Sequence, residues 1–258
     1  WSMDGKSLIV SGPEPDFWRA PTDNDRGWDN SKSWRDAGLN RLQERLDEFD
    51  FHPDEKGIYH LYLKTRIAPP VLDIGINANY QYEFSSSGQW AVTFTGQFTG
   101  TWSESLPRIG LRLAVPLELN KCEWFGKGPG ESYRDSCEGV HLGIFQKTVD
   151  ELMTPYVRPQ ENGNRMDVQW MILSDTTGRG WKVTGSPDLN FSASRYQAGD
   201  LEKAAHPCDL IPRPEIWVNL DLAQNGIGSN SCGPRPWDWH LLRPEPFTFK
   251  LIFTPTKS

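Results

Sequence analysis

Residues Ile74–Phe98 read IGINANYQYEFSSSGQWAVTFTGQF, and this stretch decides the fold class. Ile74, Ile76, Ala78, Tyr80, Tyr82 and Phe84 occupy every second position over eleven residues, with mostly polar residues between them. Side chains of an extended chain point alternately to opposite faces, so the pattern predicts a strand with one buried face. Ser85-Ser86-Ser87-Gly88 supplies turn chemistry, after which Trp90, Val92, Phe94 and Phe98 resume the same period. Two such runs around a short polar turn read as an antiparallel hairpin.

The same period recurs outward from this hairpin. Ile109, Leu111, Leu113 and Val115 follow it, as do Ile216, Val218, Leu220 and Leu222, and finally Phe247, Phe249, Leu251 and Phe253. Trp170–Leu173 and Gly180–Val183 read as further strands. One short helix is expected over Ser31–Gly38, capped by Ser31 or Ser33, with Trp34 and Ala37 on one face and Gly38 ending it. Leu42–Phe51 fits both a helix, through Leu42 and Leu46, and a strand, and its second half is read as strand. Pro207–Pro214 reads as a long surface loop, because each proline removes a ladder donor. No internal repeat, low-complexity tract or linker is visible. The expectation is an all-β fold, a large antiparallel sandwich or barrel, in one domain over residues 1–258.

Composition narrows the function classes. The 258 residues carry a formal charge of −7, which argues against a nucleic-acid partner, since phosphate binding needs a basic face. No run approaches the ~18 to 20 apolar residues of a helical membrane span. No basic-then-apolar leader opens the chain, and its compartment stays open, with the cytoplasm favoured over the periplasm. Trp1 suggests an excised fragment. Trp1–Val10 looks like the middle of a domain edge, so the domain is expected to lack its first strands and to leave an unpaired sheet edge. Cys122, Cys137, Cys208 and Cys232 show no CxxC spacing and read as ordinary thiols.

Four blocks resist the strand pattern. In Phe17–Gly27, FWRAPTDNDRG, the oxygens of Asp23, Asn24 and Asp25 suit either a hard cation or an Asx turn. Glu123–Asp135 holds three glycines without the spacing of a nucleotide loop, and reads as a tight turn exposing Glu131, Tyr133, Arg134 and Asp135. Thr154–Arg165 packs Gln160, Glu161, Asn162 and Arg165 between prolines, a set that suits sugar hydroxyls and buried loop hydrogen bonds equally. Asn225–Pro234 is a sharp glycine loop followed by Trp237 and Trp239, which could stack on a sugar ring or anchor the loop. The five histidines lack metal-ligand spacing, no GxSxG elbow occurs, and nothing picks a catalytic pair from 34 acidic residues.

Taken in order, FWRAPTDNDRG (17–27), EWFGKGPGESYRDS (123–136), TPYVRPQENGNR (154–165) and NGIGSNSCGP (225–234) resemble the C-terminal, small chain domain of bacterial-type β-galactosidases of glycoside hydrolase family 2. The resemblance covers essentially the whole chain. It implies a galactose mutarotase-like β-sandwich (supersandwich) that forms one wall of an active site and supports assembly. Hydrolysis of terminal non-reducing β-D-galactosides such as lactose, with retention, would be carried out by glutamates of a separate barrel domain, so this stretch alone is expected to be inactive. It implies no cofactor here and leaves room for Mg2+ and Na+ in the full-length enzyme. Partners would be the remaining domains of the parent chain, and a homo-oligomer is allowed. By the resemblance, Cys232, Trp237, Asn230 and Gly38 lie toward substrate. Cys232 stands where many members carry a stacking Trp, which Trp237 would replace, and Gly38 begins a segment that is mobile in the family. Arg158 and Pro159 match a place where some members lend backbone oxygens to a cation. Rival expectations are a non-catalytic carbohydrate-binding or assembly module, and an epimerase using His141 and Glu161.

Overall fold

The computed structural model describes residues 1–27, 29–229 and 231–256. Strands β1 (Ser2–Met3) and β2 (Lys6–Ser7) form a small hairpin. The other twelve join one antiparallel sheet: β3 (Ser11–Asp16), β4 (Gln43–Pro53), β5 (Tyr59–Ala68), β6 (Gly75–Phe84), β7 (Trp90–Thr99) and β8 (Arg108–Pro116), then β9 (Lys121–Gly128), β10 (His141–Thr148), β11 (Arg165–Ser174), β12 (Gly180–Ser194), β13 (Glu215–Gln224) and β14 (Phe247–Thr256).

The sheet divides at β12. Its first half, Gly180–Ser186, pairs with β14, which leads on through β7, β6 and β5 to the edge strand β4. Its second half, Asn190–Ser194, pairs with β13, which leads through β8 to β3. The two wings meet in one core that contains Ile76, Tyr80 and Phe94 from one side and Leu111, Leu113 and Val218 from the other. Phe94 sits at its aromatic centre, stacked on Tyr80 at 4.6 Å and meeting Phe247 at 5.1 Å and Phe249 at 5.8 Å. The all-β sandwich expected from the period-two runs is therefore what the chain forms.

Several local expectations need correction. The short helix α2 runs Asn30–Asp36 rather than Ser31–Gly38, and the residue before it, Asp29, is left-handed with no side-chain cap, so neither Ser31 nor Ser33 caps it. Trp34 is fully buried, and Gly38 at φ +73° turns the chain away as expected. The whole of Gln43–Pro53 is strand, not only its second half. All eleven residues are exposed, so no dry face imposes a period, and a bulge at Asp47 breaks the register against β5. The first part of Glu123–Asp135, read as a tight turn, belongs instead to β9 (Lys121–Gly128), with Cys122 and Trp124 buried on alternate positions. Asp23–Gly27 forms a short helix, α1. In β5, Leu61, Leu63 and Ile67 alternate legibly and mark a strand that the sequence reading passed over.

Truncating Phe94 removes the centre of this aromatic cluster. Phe94→Ala is expected to lower stability by about 3–5 kcal/mol, and Phe94→Leu by clearly less, as read from urea midpoints at unchanged m-value.

Candidate functional site

The four blocks converge at one end of the sandwich, and buried polar side chains of one block hold the backbone of another. Arg19 is the centre of this arrangement and is wholly buried. Its Nε and one terminal nitrogen donate to the two oxygens of Asp25, at 3.2 and 2.7 Å. The remaining reach of the guanidinium goes to the carbonyls of Asn225, at 2.7 Å, and Gly226, at 3.1 Å, and the Trp34 ring lies 5.3 Å away. Asp25 in turn accepts from the Thr22 backbone N–H, while its own N–H donates to the Thr22 hydroxyl, a capping box that starts α1.

The other blocks lock in the same way. The Glu161 N–H donates to the Ala20 carbonyl, and the Asp23 N–H to the Gln160 side chain. Glu131 accepts from Thr154, the Gly163 N–H and Tyr156. Asp135 accepts from the N–H groups of Ile227 and Gly228, at 2.9 and 2.7 Å. The expected exposure of Glu131, Tyr133, Arg134 and Asp135 does not hold: Tyr133 is buried and the other three are half-buried. Of the two uses weighed for Gln160, Glu161, Asn162 and Arg165, the structure employs all four in loop hydrogen bonds or ion pairs.

Asp23, Asn24 and Asp25 do not converge on a common point. Asp25 belongs to Arg19, Asn24 donates to the Gly228 carbonyl, and Asp23 pairs with Arg26 and Arg158. Two guanidinium groups on Asp23 do not fit a cation site. The Arg158 carbonyl is itself engaged by the Gln160 amide.

A second buried guanidinium lies behind these loops. Arg108 pairs with Glu161 at 3.0 Å and with Asp16 and Asp221 at 3.5 Å each, all nine-tenths buried or more. Three carboxylates share one fixed positive charge. Burial, with Asp16 and Glu161 adding to it against the pull of Arg108, pushes the Asp221 carboxyl up to about 8. Burial also raises Glu161.

Of the residues expected near substrate, Cys232 is exposed in a turn closed by its N–H to the Ser229 carbonyl. Trp237 is 62% exposed and its ring lies 4.6 Å from that of Trp239, also exposed. Gly38 abuts Pro69, where a Cβ would come within 2.5 Å of the proline Cβ. Asn230 lies outside the described residues. The Trp237 loop and α2 brace the same segment: Arg235 pairs with Glu104, and Trp34 donates to Ser105. His141 is exposed against Phe145 while Glu161 is buried on Arg108, so the histidine and carboxylate of an epimerase pair occupy different surroundings. Sequence reasoning missed Arg19 and Arg108, whose partners are largely main-chain carbonyls or distant acids.

Two outcomes test this arrangement. Arg19→Ala, which leaves Asp25 buried without its partner, is expected to cost about 3–5 kcal/mol. Asp221 holds its proton in the folded chain at pH values where the unfolded chain has lost it. The stability it contributes is therefore present in acid and declines as pH rises from about 4 to about 8. Asp221→Asn is expected to flatten the fall in thermal midpoint over that range.

Comparison with known proteins places these blocks. The family model described as beta galactosidase small chain matches residues 1–253. A β-galactosidase of Arthrobacter sp. (strain B7) is 34% identical over 95% of this chain and 26% of its own length. One of Lactobacillus delbrueckii subsp. bulgaricus is 38% identical over 88% of this chain and 22% of its own. The chain thus spans about a quarter of the length of these curated relatives. Among solved structures, galactose 1-epimerase from Lactobacillus acidophilus is similar over 83% of this chain and 67% of its own, at 11% identity and a TM-score of 0.45. The chain belongs to the β-galactosidase small chain family.

Proposed function

We propose that this domain forms one wall of the active site of a β-galactosidase that hydrolyses terminal non-reducing β-D-galactosides with retention. The supporting observation is the exposed Trp237–Trp239 pair, carried on loops fixed from below by Arg19 and Asp135. Aromatic rings packed side by side and open to solvent suit stacking on a sugar ring. Trp237 then serves the leaving-sugar side, in place of an aromatic ring at Cys232. The carboxylates of the loop cluster make poor catalysts, since Asp16, Glu161, Asp221 and Asp25 are all buried on guanidinium groups. In this proposal the acid and the nucleophile of a retaining mechanism belong to another part of the parent enzyme.

A second role, support of assembly, is favoured by β4, an edge strand that exposes Leu46, Phe49 and Phe51 along its length.

Hydrolysis of a chromogenic β-galactoside separates these readings. The chain alone is expected to be silent and to gain activity when mixed with the remainder of its parent. Activity of the chain alone, abolished by replacing one of its carboxylates, would overturn the proposal. In the complete enzyme, Trp237→Ala is expected to lower kcat/KM by roughly three- to tenfold, the worth of about one aromatic contact, with an unchanged melting temperature.

A further inference from the structure

A cleft of about 460 Å³ opens between the end of β3, the turn after α2, and the helix α3 (Ala198–Lys203), with no residue of the Trp237 loop in its lining. That volume lies within the range of small-molecule sites. Its apolar wall includes Trp18, Leu39 and Ile67. Trp18 is fixed before any ligand arrives: its indole N–H donates to Glu202 at 2.5 Å, Arg35 lies 5.0 Å from the ring, and Trp34 meets it edge-on.

Two ion pairs face this cleft. Glu14 pairs with Arg112 at 2.8 Å and Glu202 with Arg35 at 2.6 Å, and all four residues line it. Each pair sets a hydrogen-bond acceptor beside a donor. A sugar hydroxyl both donates and accepts, so a vicinal diol is the complement of such a pair. With Asp16 and Glu44 also in the lining, carboxylates outnumber the guanidinium groups, which leaves no surplus positive charge for a phosphate or a carboxylate ligand. The cleft shares Asp16, Arg112 and Ala198 with a deeper chamber of about 40 Å³, lined also by Trp217, whose indole nitrogen is buried without a partner. A chamber of that size accepts a water or one polar arm of a ligand.

We propose that this cleft is a second carbohydrate site, taking a single neutral hexose unit against Trp18 with its hydroxyls on the Glu14–Arg112 and Glu202–Arg35 pairs. The site stands on the cleft alone and is independent of the role given to Trp237.

The indole N–H resonance of Trp18, assigned by its loss in Trp18→Phe, reports occupancy in the nitrogen-15-labelled chain titrated with methyl β-D-galactopyranoside. Saturation with a Kd in the range of about 1–10 mM is expected. Glu14→Ala, at an exposed position, is expected to weaken binding at least fivefold. Gly199 of α3 lines the cleft and a Cβ there meets nothing within 4 Å. Gly199→Phe is therefore expected to abolish the shift while the remaining indole signals keep their positions. No shift at 100 mM sugar would overturn the proposal, as would binding that neither variant changes, or inorganic phosphate binding more tightly than the sugar. A shift of the Trp237 signal alone would place the sugar at the rim, rejecting the cleft and leaving the active-site reading intact.

Discussion

A guanidinium taken wholly out of water organises the loop end of this molecule. A buried charge is tolerable only when it is matched and its hydrogen-bonding groups are filled. Arg19 meets that condition with a carboxylate six residues away and with two carbonyls more than two hundred residues away. Asp25 is set in place by the first turn of α1, and the Asn225–Gly226 backbone by the end of β13. The sharp loop that carries the exposed tryptophans is therefore tied to a segment near the other end of the sequence. Either part without the other leaves buried polar groups unfilled.

Arg108 shows the opposite balance. Arg19 has one acid and two neutral carbonyls, whereas Arg108 has three acids, and the excess is relieved by keeping a proton on Asp221. The two centres hold the polar loops from beneath. The polar set Gln160, Glu161, Asn162 and Arg165, dense enough to suggest sugar binding, is thus engaged within the loops themselves.

Legibility in the sequence followed the number of wet faces. Strands β6, β7, β13 and β14 alternate buried with more open positions, so the period-two rule finds them, and it finds β8 through Ile109, Leu111, Leu113 and Val115 although both its sides are largely buried. Strand β4 buries neither, and only its second half, where Phe49 and Phe51 alternate with Glu48 and Asp50, reads as strand. The loop blocks were visible as exceptions to that rule, and a family resemblance gave them a place. Their internal wiring was not visible, because an acceptor supplied by a main-chain carbonyl leaves no mark on residue identity. Arg165 bonds only such carbonyls, and half of the hydrogen bonds of Arg19 go to them. Tyr133, embedded among glycines and charges, reads as a surface residue and is buried.

The position of β14 has a bearing on synthesis. Strands β4 to β7 form a local meander that can pair as soon as it leaves the ribosome, but the free edge of β7 waits for residues 247–256. Until then Trp90, Val92 and Phe94 stand beside an open row of peptide groups, the kind of edge that recruits other chains. Local pairing forms early and the long-range closure comes late, since loop-closure entropy delays contacts far apart in sequence. The nascent chain is thus most exposed to misassociation during the time its ribosome takes to travel from β7 to β14.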